Sequence, residues 1–361
     1  MMSFEEFANG MADNMKSYLP EWYADAKVEL VDMQKLNESY TGLRVTLPDE
    51  KVAPCLNMNA AYEAYLDGMD LRDIVAQSVD AFTMPNPNVD VNSLLDYESV
   101  KDKLFIRVSN AEKNQAVLVE LPHTMMADLA VTYHIMFEKG DDGIASIPIH
   151  AGLMEKYGVT LEQLHEDAMK SSPEVLPVKW DALSDIMKAE MRKGMEINGY
   201  DEEEIEEALA ELEPDLGTLV VTNEVGKNGA SAIFYPGMMD EFAQKMDGDF
   251  FVIPSSTDEV LLMADNGELS IAQLNAMVQE VNETKVSEEM RLGNEVYRYD
   301  ASEKVFELAS AHAERVAQKA TEKEDVSEKK SIMQRMDEKK KEIAGAVKDA
   351  VAPKRAVEAA L

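Results

Sequence analysis

The stretch FFVIPSSTDEVLLM, residues 250–263, sets two apolar runs around a polar corner. Two readings compete for it. A nucleophile elbow places its serine on a strand-to-helix turn, usually within Gly-x-Ser-x-Gly, because small neighbours let the backbone bend without clashing. Here Ser255 and Ser256 are flanked by Pro254 and Thr257, and the residues that follow, Glu259 to Met263, read as a second strand. The stretch therefore predicts an antiparallel hairpin whose hydroxyls and carboxylate satisfy local backbone amides.

Working outward, GTLVVTN (217–223) and GASAIFYP (229–236) read as further strands, with a helix at 237–246 that Pro236 can start. A helix from Ser270 and a hairpin over NEVYRYDASEKVFEL (294–308) follow. Upstream, ESVKDKLFIRVSN (98–110), QAVLVELP (115–122), DLAVTYHIMF (128–137) and GIASIPIH (143–150) supply strands, the third apolar on both faces as a central strand should be. Residues 150–172 have helical period with Thr160 as N-cap, and two more helices are expected between 179 and 213.

At the N-terminus, Phe4, Phe7, Met11 and Met15 fall at helical spacing before Pro20. AKVELVDM (26–33), TGLRVTL (41–47) and KVAPCLNM (51–58) read as strands, and residues 60–82 switch to helical period around Gly68. The pattern gives an α+β fold of mixed, largely antiparallel sheets with packed helices and a charged helical tail. MPNPNVDVN (84–92) marks a boundary, so the expected organisation is an N-terminal subdomain at 1–90, a larger body at 91–308 and a tail at 309–361.

Composition narrows the function classes. The 361 residues carry a formal net charge of −35, which argues against direct nucleic-acid or anionic-membrane binding. Residues 320–361 hold ten basic and nine acidic side chains, a net of about +1, which leaves about −36 (−35 minus +1) on residues 1–319. Within that tail Ile332, Met333, Met336, Ile343 and Val347 form only a thin apolar stripe, which predicts an exposed charged helix or a partly disordered segment. Cys55 is the single cysteine, the start MMSFEEFANGM places acids where a signal peptide has bases, and no apolar run approaches the ~20 residues of a membrane span. A cytoplasmic location is the expectation. The 24 methionines are read as core residues first.

Few residues invite a catalytic reading. His123, His134, His150, His165 and His312 form no metal-ligand spacing. Asp128 and His134 share strand parity and could orient a metal or a proton transfer, against the plainer reading of a buried, hydrogen-bonded histidine. His165, beside Glu166 and Asp167, reads as part of a solvated helix face. Cys55 behaves as a small core hydrophobe. VGKNGA (225–230) lacks Walker spacing, and its Asn228-Gly229 reads as a hairpin turn. No cofactor is implied.

The segment NGYDEEEIEEALAELEPD (198–215) stands apart. Eleven acids and no Lys or Arg lie between Lys193 and Lys227, nine of them within 201–215. Ile205, Ala208, Leu209 and Leu212 recur at i, i+3, i+4 and i+7, so an amphipathic helix presents an acidic outer face. That face is either solvation or a docking surface for a basic protein partner, formed by Asp201, Glu202, Glu203, Glu204, Glu207 and Glu211.

Taken together, LPEWYADAKVELVDMQK (19–35), TGLRVTLPDEKVAPCLNMNAAYEAYLDG (41–68), DYESVKDKLFIRVSNAEKN (96–114), DLAVTYHIMF, TLEQLHEDAM (160–169), FFVIPSSTDEVLLM and LNAMVQEVNETKV (274–286) resemble the family DUF5688 over roughly residues 16–300. The resemblance implies a bacterial cytoplasmic protein of anaerobic Firmicutes, associated with mobile-element genomes, and carries over no catalytic residue. The expected function is a non-enzymatic binding or adaptor protein that uses an acidic surface. An acidic nucleic-acid mimic or anti-defence protein, and a hydrolase with an unrecognised site, are the alternatives. Spread evenly, the charge falls several-fold short of that on duplex DNA, so mimicry requires clustering. Nothing in the sequence sets an oligomeric state.

Overall fold

The computed structural model describes residues 1–48, 53–83, 91–140, 143–210, 212 and 217–319, and beyond them 321, 329, 332–336, 339 and 340. The N-terminal layer starts at a capping box in which the Ser3 hydroxyl accepts the Glu6 amide and the Glu6 carboxylate accepts the Ser3 amide. The helix that follows, Phe4–Tyr18, buries Phe7, Met11 and Met15 at i, i+4 and i+8. It packs with the helices Met58–Leu66 and Leu71–Thr83 over an antiparallel sheet of β1 (Lys27–Lys35), β2 (Glu38–Thr46) and β3 (Cys55–Asn57). Leu43, Val45, Val75 and Phe82 complete that core.

A second sheet contains β4 (Leu104–Asn110), β5 (His123–Met126), β6 (Leu129–Gly140) and β7 (Gly143–Pro148), with β4 on one side of β6 and β5 and β7 on the other. Residues 129–136 of β6 are all buried, as its unbroken apolar run predicts for a central strand. Because among the described residues β4 pairs only with β6, its outer backbone groups need other partners. Three serine hydroxyls supply them: Ser171 donates to the Leu104 carbonyl at 2.7 Å, Ser172 accepts the Ile106 amide at 3.1 Å and Ser231 donates to the Ile106 carbonyl at 3.0 Å.

The third sheet comprises β8 (Val178–Ala182), β9 (Leu219–Asn223), β10 (Phe250–Ile253), β11 (Val260–Ala264), β12 (Tyr297–Asp300) and β13 (Val305–Leu308), in the order β13-β12-β10-β11-β9-β8. β10 and β11 form the expected hairpin, antiparallel with Phe250 opposite Ala264 and Ile253 opposite Leu261. Thr160 and Ser270 cap the helices Leu161–Val175 and Ile271–Thr284 as expected. The fold is α+β, and every pairing with an assigned register is antiparallel.

Four local expectations are overturned. Within QAVLVELP, residues Gln115–Leu118 form a helical turn, and Leu118 and Leu121 pack with Ala130; a short apolar run satisfies either period. GASAIFYP contains a 3-10 helix, Gly229–Phe234, buried at all six positions, because an element covered on every side carries no alternation. Asn228-Gly229 is accordingly no hairpin turn: Asn228, at φ 55°, leads into that helix, and Gly229 lies where a Cβ would stand 2.5 Å from the Asp258 carbonyl and 2.6 Å from the Asn223 amide. Pro236 precedes the next helix, Met238–Lys245, whose N-cap is Gly237 at φ 83°.

Packing groups residues 1–307 into one unit and 308–361 into a second. Residues 84–90, where an inner boundary was expected, lie outside those described. In the second unit residues 309–319, 332–336 and 339–340 are helical, with Ile332, Met333 and Met336 exposed. The rest of the expected charged tail is almost wholly outside the described residues.

Candidate functional site

The acidic segment forms the second arm of a helix pair, Leu183–Ile197 followed by Glu202–Ala210. Ile205 anchors the second arm at 1% exposure. Its acids divide into three groups. Asp201 and Glu204 cap the helix reciprocally, with the Glu204 amide on Asp201 Oδ1 and the Asp201 amide on Glu204 Oε2, both at 3.0 Å. Glu202 accepts Arg192 of the first arm at 2.7 Å, and the same guanidinium also grips Glu206, so these two acids are partly neutralised. Glu203 and Glu207, one turn apart, are exposed and have no ion pair among the described residues. Glu211 lies outside the described residues.

The first arm adds a feature that the sequence reading passed over. None of its fifteen residues is buried. Met187, Met191 and Met195 recur at i, i+4 and i+8, with Met187 51% exposed; Ile197 is 76% and Tyr200 51% exposed just beyond. Treating every methionine as core hid this stripe, although its spacing is written in the sequence. The pair thus joins soft apolar side chains to unneutralised carboxylates.

The other sequence candidates resolve into structural roles. At the β10–β11 corner the Ser256 hydroxyl accepts the Asp258 amide at 3.1 Å, and the Ser255 hydroxyl points to Glu259 at 3.4 Å, as the hairpin reading expects. Asp128 is not on the strand of His134 but in the turn before β6, after Ala127 at φ 55°, where it accepts the Tyr297 hydroxyl at 2.7 Å. The same-face alternative with His134 therefore loses its basis, and His134 takes the plainer role of a buried, hydrogen-bonded histidine. His134 is buried, with Nε2 at 3.1 Å from Thr132 Oγ1, and burial holds its imidazole well below the usual histidine range. His165 leaves the expected solvated face: its Nδ1 lies 3.0 Å from the Tyr133 hydroxyl, which also meets Thr124 Oγ1 at 2.6 Å. Burial lowers the His165 pKa and favours the neutral ring in its hydrogen bond with the Tyr133 hydroxyl. Cys55 is half-buried against Gly42, and burial pushes its thiol pKa up, away from nucleophilic character.

Two adjoining hollows of about 390 and 470 Å³ share Lys113 and Glu288. They are polar, and the Lys113 ammonium is already taken by the Glu288 carbonyl. The apolar walls that bury a small organic ligand are missing there. Among the described residues no group of three or more His, Cys, Asp or Glu is placed to hold a metal ion, and no helix is long and apolar enough to cross a membrane.

These features define an α+β chain with an acidic, methionine-striped helix pair as its most distinctive surface. The model of DUF5688, a family of unknown function, matches residues 4–301, and the chain belongs to that family. No curated protein and no solved structure matches the chain.

Proposed function

We propose that this chain is a non-enzymatic binding or adaptor protein whose helix pair, Leu183–Ile197 and Glu202–Ala210, receives a basic partner. The observation that carries the reading is that one helix pair exposes both Glu203 and Glu207, free of cations among the described residues, and the apolar side chains of Met187, Ile197 and Tyr200. Carboxylates steer a basic surface into place, and apolar contact then slows its departure. Methionine suits such a surface because its unbranched thioether adapts to different shapes. A bacterial, cytoplasmic setting in Firmicutes and carriage on mobile elements belong to the same reading.

The test is capture of partners from host lysate over a salt series, comparing the wild type with Glu203→Gln/Glu207→Gln and with Met187→Gln. Loss of capture and a flatter salt dependence in the double glutamine variant support acidic docking. Loss in the charge variant alone, with Met187→Gln unaffected, favours the nucleic-acid-mimic alternative, in which charge does the recognising. Equal capture by all three proteins overturns both.

A further inference from the structure

On the first arm of the helix pair, Leu183, Ile186, Glu190, Lys193 and Ile197 recur at i, i+3, i+7, i+10 and i+14, the spacing of a seam that meets another helix. That seam turns away from the second arm. Arg192, which holds Glu202 and Glu206 there, stands two positions past Glu190 and so about 200° around the helix. Leu183 and Ile186 are half-buried, whereas Glu190, Lys193, Gly194 and Ile197 are exposed. A Cβ added to Gly194 would meet no atom within 4 Å, so the second half of the seam is open.

The chemistry along this seam is self-complementary. Leu183 and Ile186 make one end apolar, Ile197 and the nearby Tyr200 the other, and between them stand one acid and one base, Glu190 and Lys193. Neither forms an ion pair among the described residues. A two-fold axis between Met191 and Arg192, running the helix antiparallel to a copy of itself, sets Glu190 opposite Lys193, Ile186 opposite Ile197 and Leu183 opposite Tyr200. Each contact then occurs twice. A parallel pairing would instead stack Glu190 on Glu190 and Lys193 on Lys193, like charges in both central layers.

We propose that a second copy of this chain covers this face, the two first arms packing antiparallel as an isologous dimer. A self-complementary surface closes with two copies and needs no other partner. The crossed Glu190–Lys193 contacts set the register against the general repulsion between two chains of net charge −35. At ~0.15 M salt the screening length is about 8 Å, so the distant charges weigh little. The arm is already a folded helix, which spares the dimer the cost of ordering a free peptide. The dimer goes beyond the docking reading: Glu203 and Glu207 lie outside the seam, while Ile197 and Tyr200 are common to both, so a second copy and a basic partner compete for them.

The experiment is sedimentation equilibrium of the purified full-length protein over a concentration series at ~0.15 M salt, with circular dichroism to check the fold of each variant. Reversible association to twice the chain mass of 40.2 kDa is expected. Glu190→Lys and Lys193→Glu each create two like-charge contacts and should raise the dissociation constant about tenfold or more, as should Ile197→Gln. The double exchange Glu190→Lys/Lys193→Glu restores opposite charges across the axis and should recover wild-type association. A wild type that stays monomeric up to roughly 1 mM, wild-type association in the single variants, or no recovery in the double exchange overturns the proposal. The assay holds no other protein, so its failure and failure of the lysate capture are separate results.

Discussion

The Ser231 hydroxyl reaches the Ile106 carbonyl at 3.0 Å across 125 positions of sequence, sharing its proton with the Asn228 carbonyl at the same distance. Ile106 sits on the unpaired side of β4, and its amide is met there by Ser172 at 3.1 Å. Removing either hydroxyl leaves a buried backbone group without its partner, at a cost of about 1–3 kcal/mol. Urea unfolding of Ser231→Ala and Ser172→Ala should show losses in that range. A change below about 0.5 kcal/mol in both would mean that the edge is satisfied in another way.

Gly229 gives a sharper test of the buried 3-10 helix. Its missing Cβ makes room for the Thr222 side chain, the Asp258 carbonyl and the Asn223 amide. Two of these are backbone atoms and cannot swing aside. Gly229→Ala should therefore destabilise by at least the 1–3 kcal/mol typical of overpacking, read as a lower urea midpoint. An unchanged midpoint would contradict the packing around this turn.

Acid sensitivity should begin with histidine. The folded-state pKa of His134 lies well below the ordinary value of 6.5, and that of His165 is lowered too, both because burial disfavours the charged ring. Below pH 6.5 the unfolded chain takes up protons that the folded chain refuses, so stability is full above that pH and falls as pH drops toward the folded values. Each such histidine contributes a slope of up to about 1.4 kcal/mol per pH unit. Glu6, Glu29 and Asp240, whose pKa values are lowered from 4.5, 4.5 and 3.8, act only in more acidic solution. Denaturation between pH 7 and pH 5 should therefore show a smaller slope in His134→Gln than in the wild type. Equal slopes would place the His134 titration where it is in the unfolded chain.

The β10–β11 corner should prove replaceable. Ser256→Ala removes one hydrogen bond to the Asp258 amide, at about 1 kcal/mol or less, and Ser255→Ala less than that. A fluorophosphonate probe should label neither serine. Labelling that vanished in either variant would promote the hydrolase alternative over the binding reading.

Much of this architecture was legible because local chemistry and global packing agree. The two apolar runs on either side of Pro254 to Glu259 left a hairpin as the economical reading, the spacing of Phe4, Phe7, Met11 and Met15 marked the first helix, and Thr160 announced another through capping. Gly229 to Phe234 misled because an element buried on every side loses the periodicity that separates strand from helix. The acidic face was readable by composition, yet Arg192, ten and fourteen residues before Glu202 and Glu206, removes part of it through a contact between helices.

The serines along β4 also set a schedule for biosynthesis. Ser172 follows Ile106 by 66 residues and Ser231 by 125, so the ribosome releases the strand long before its edge can be closed. At about 5–20 residues per second, the last of these 125 positions emerges roughly 6–25 s after Ile106. During that interval the nascent chain offers an open, strongly apolar strand edge to anything able to add a strand to it. The growing polypeptide is thus most exposed to misassembly while residues 107–231 are being made, which makes this window the natural point of engagement for a chaperone.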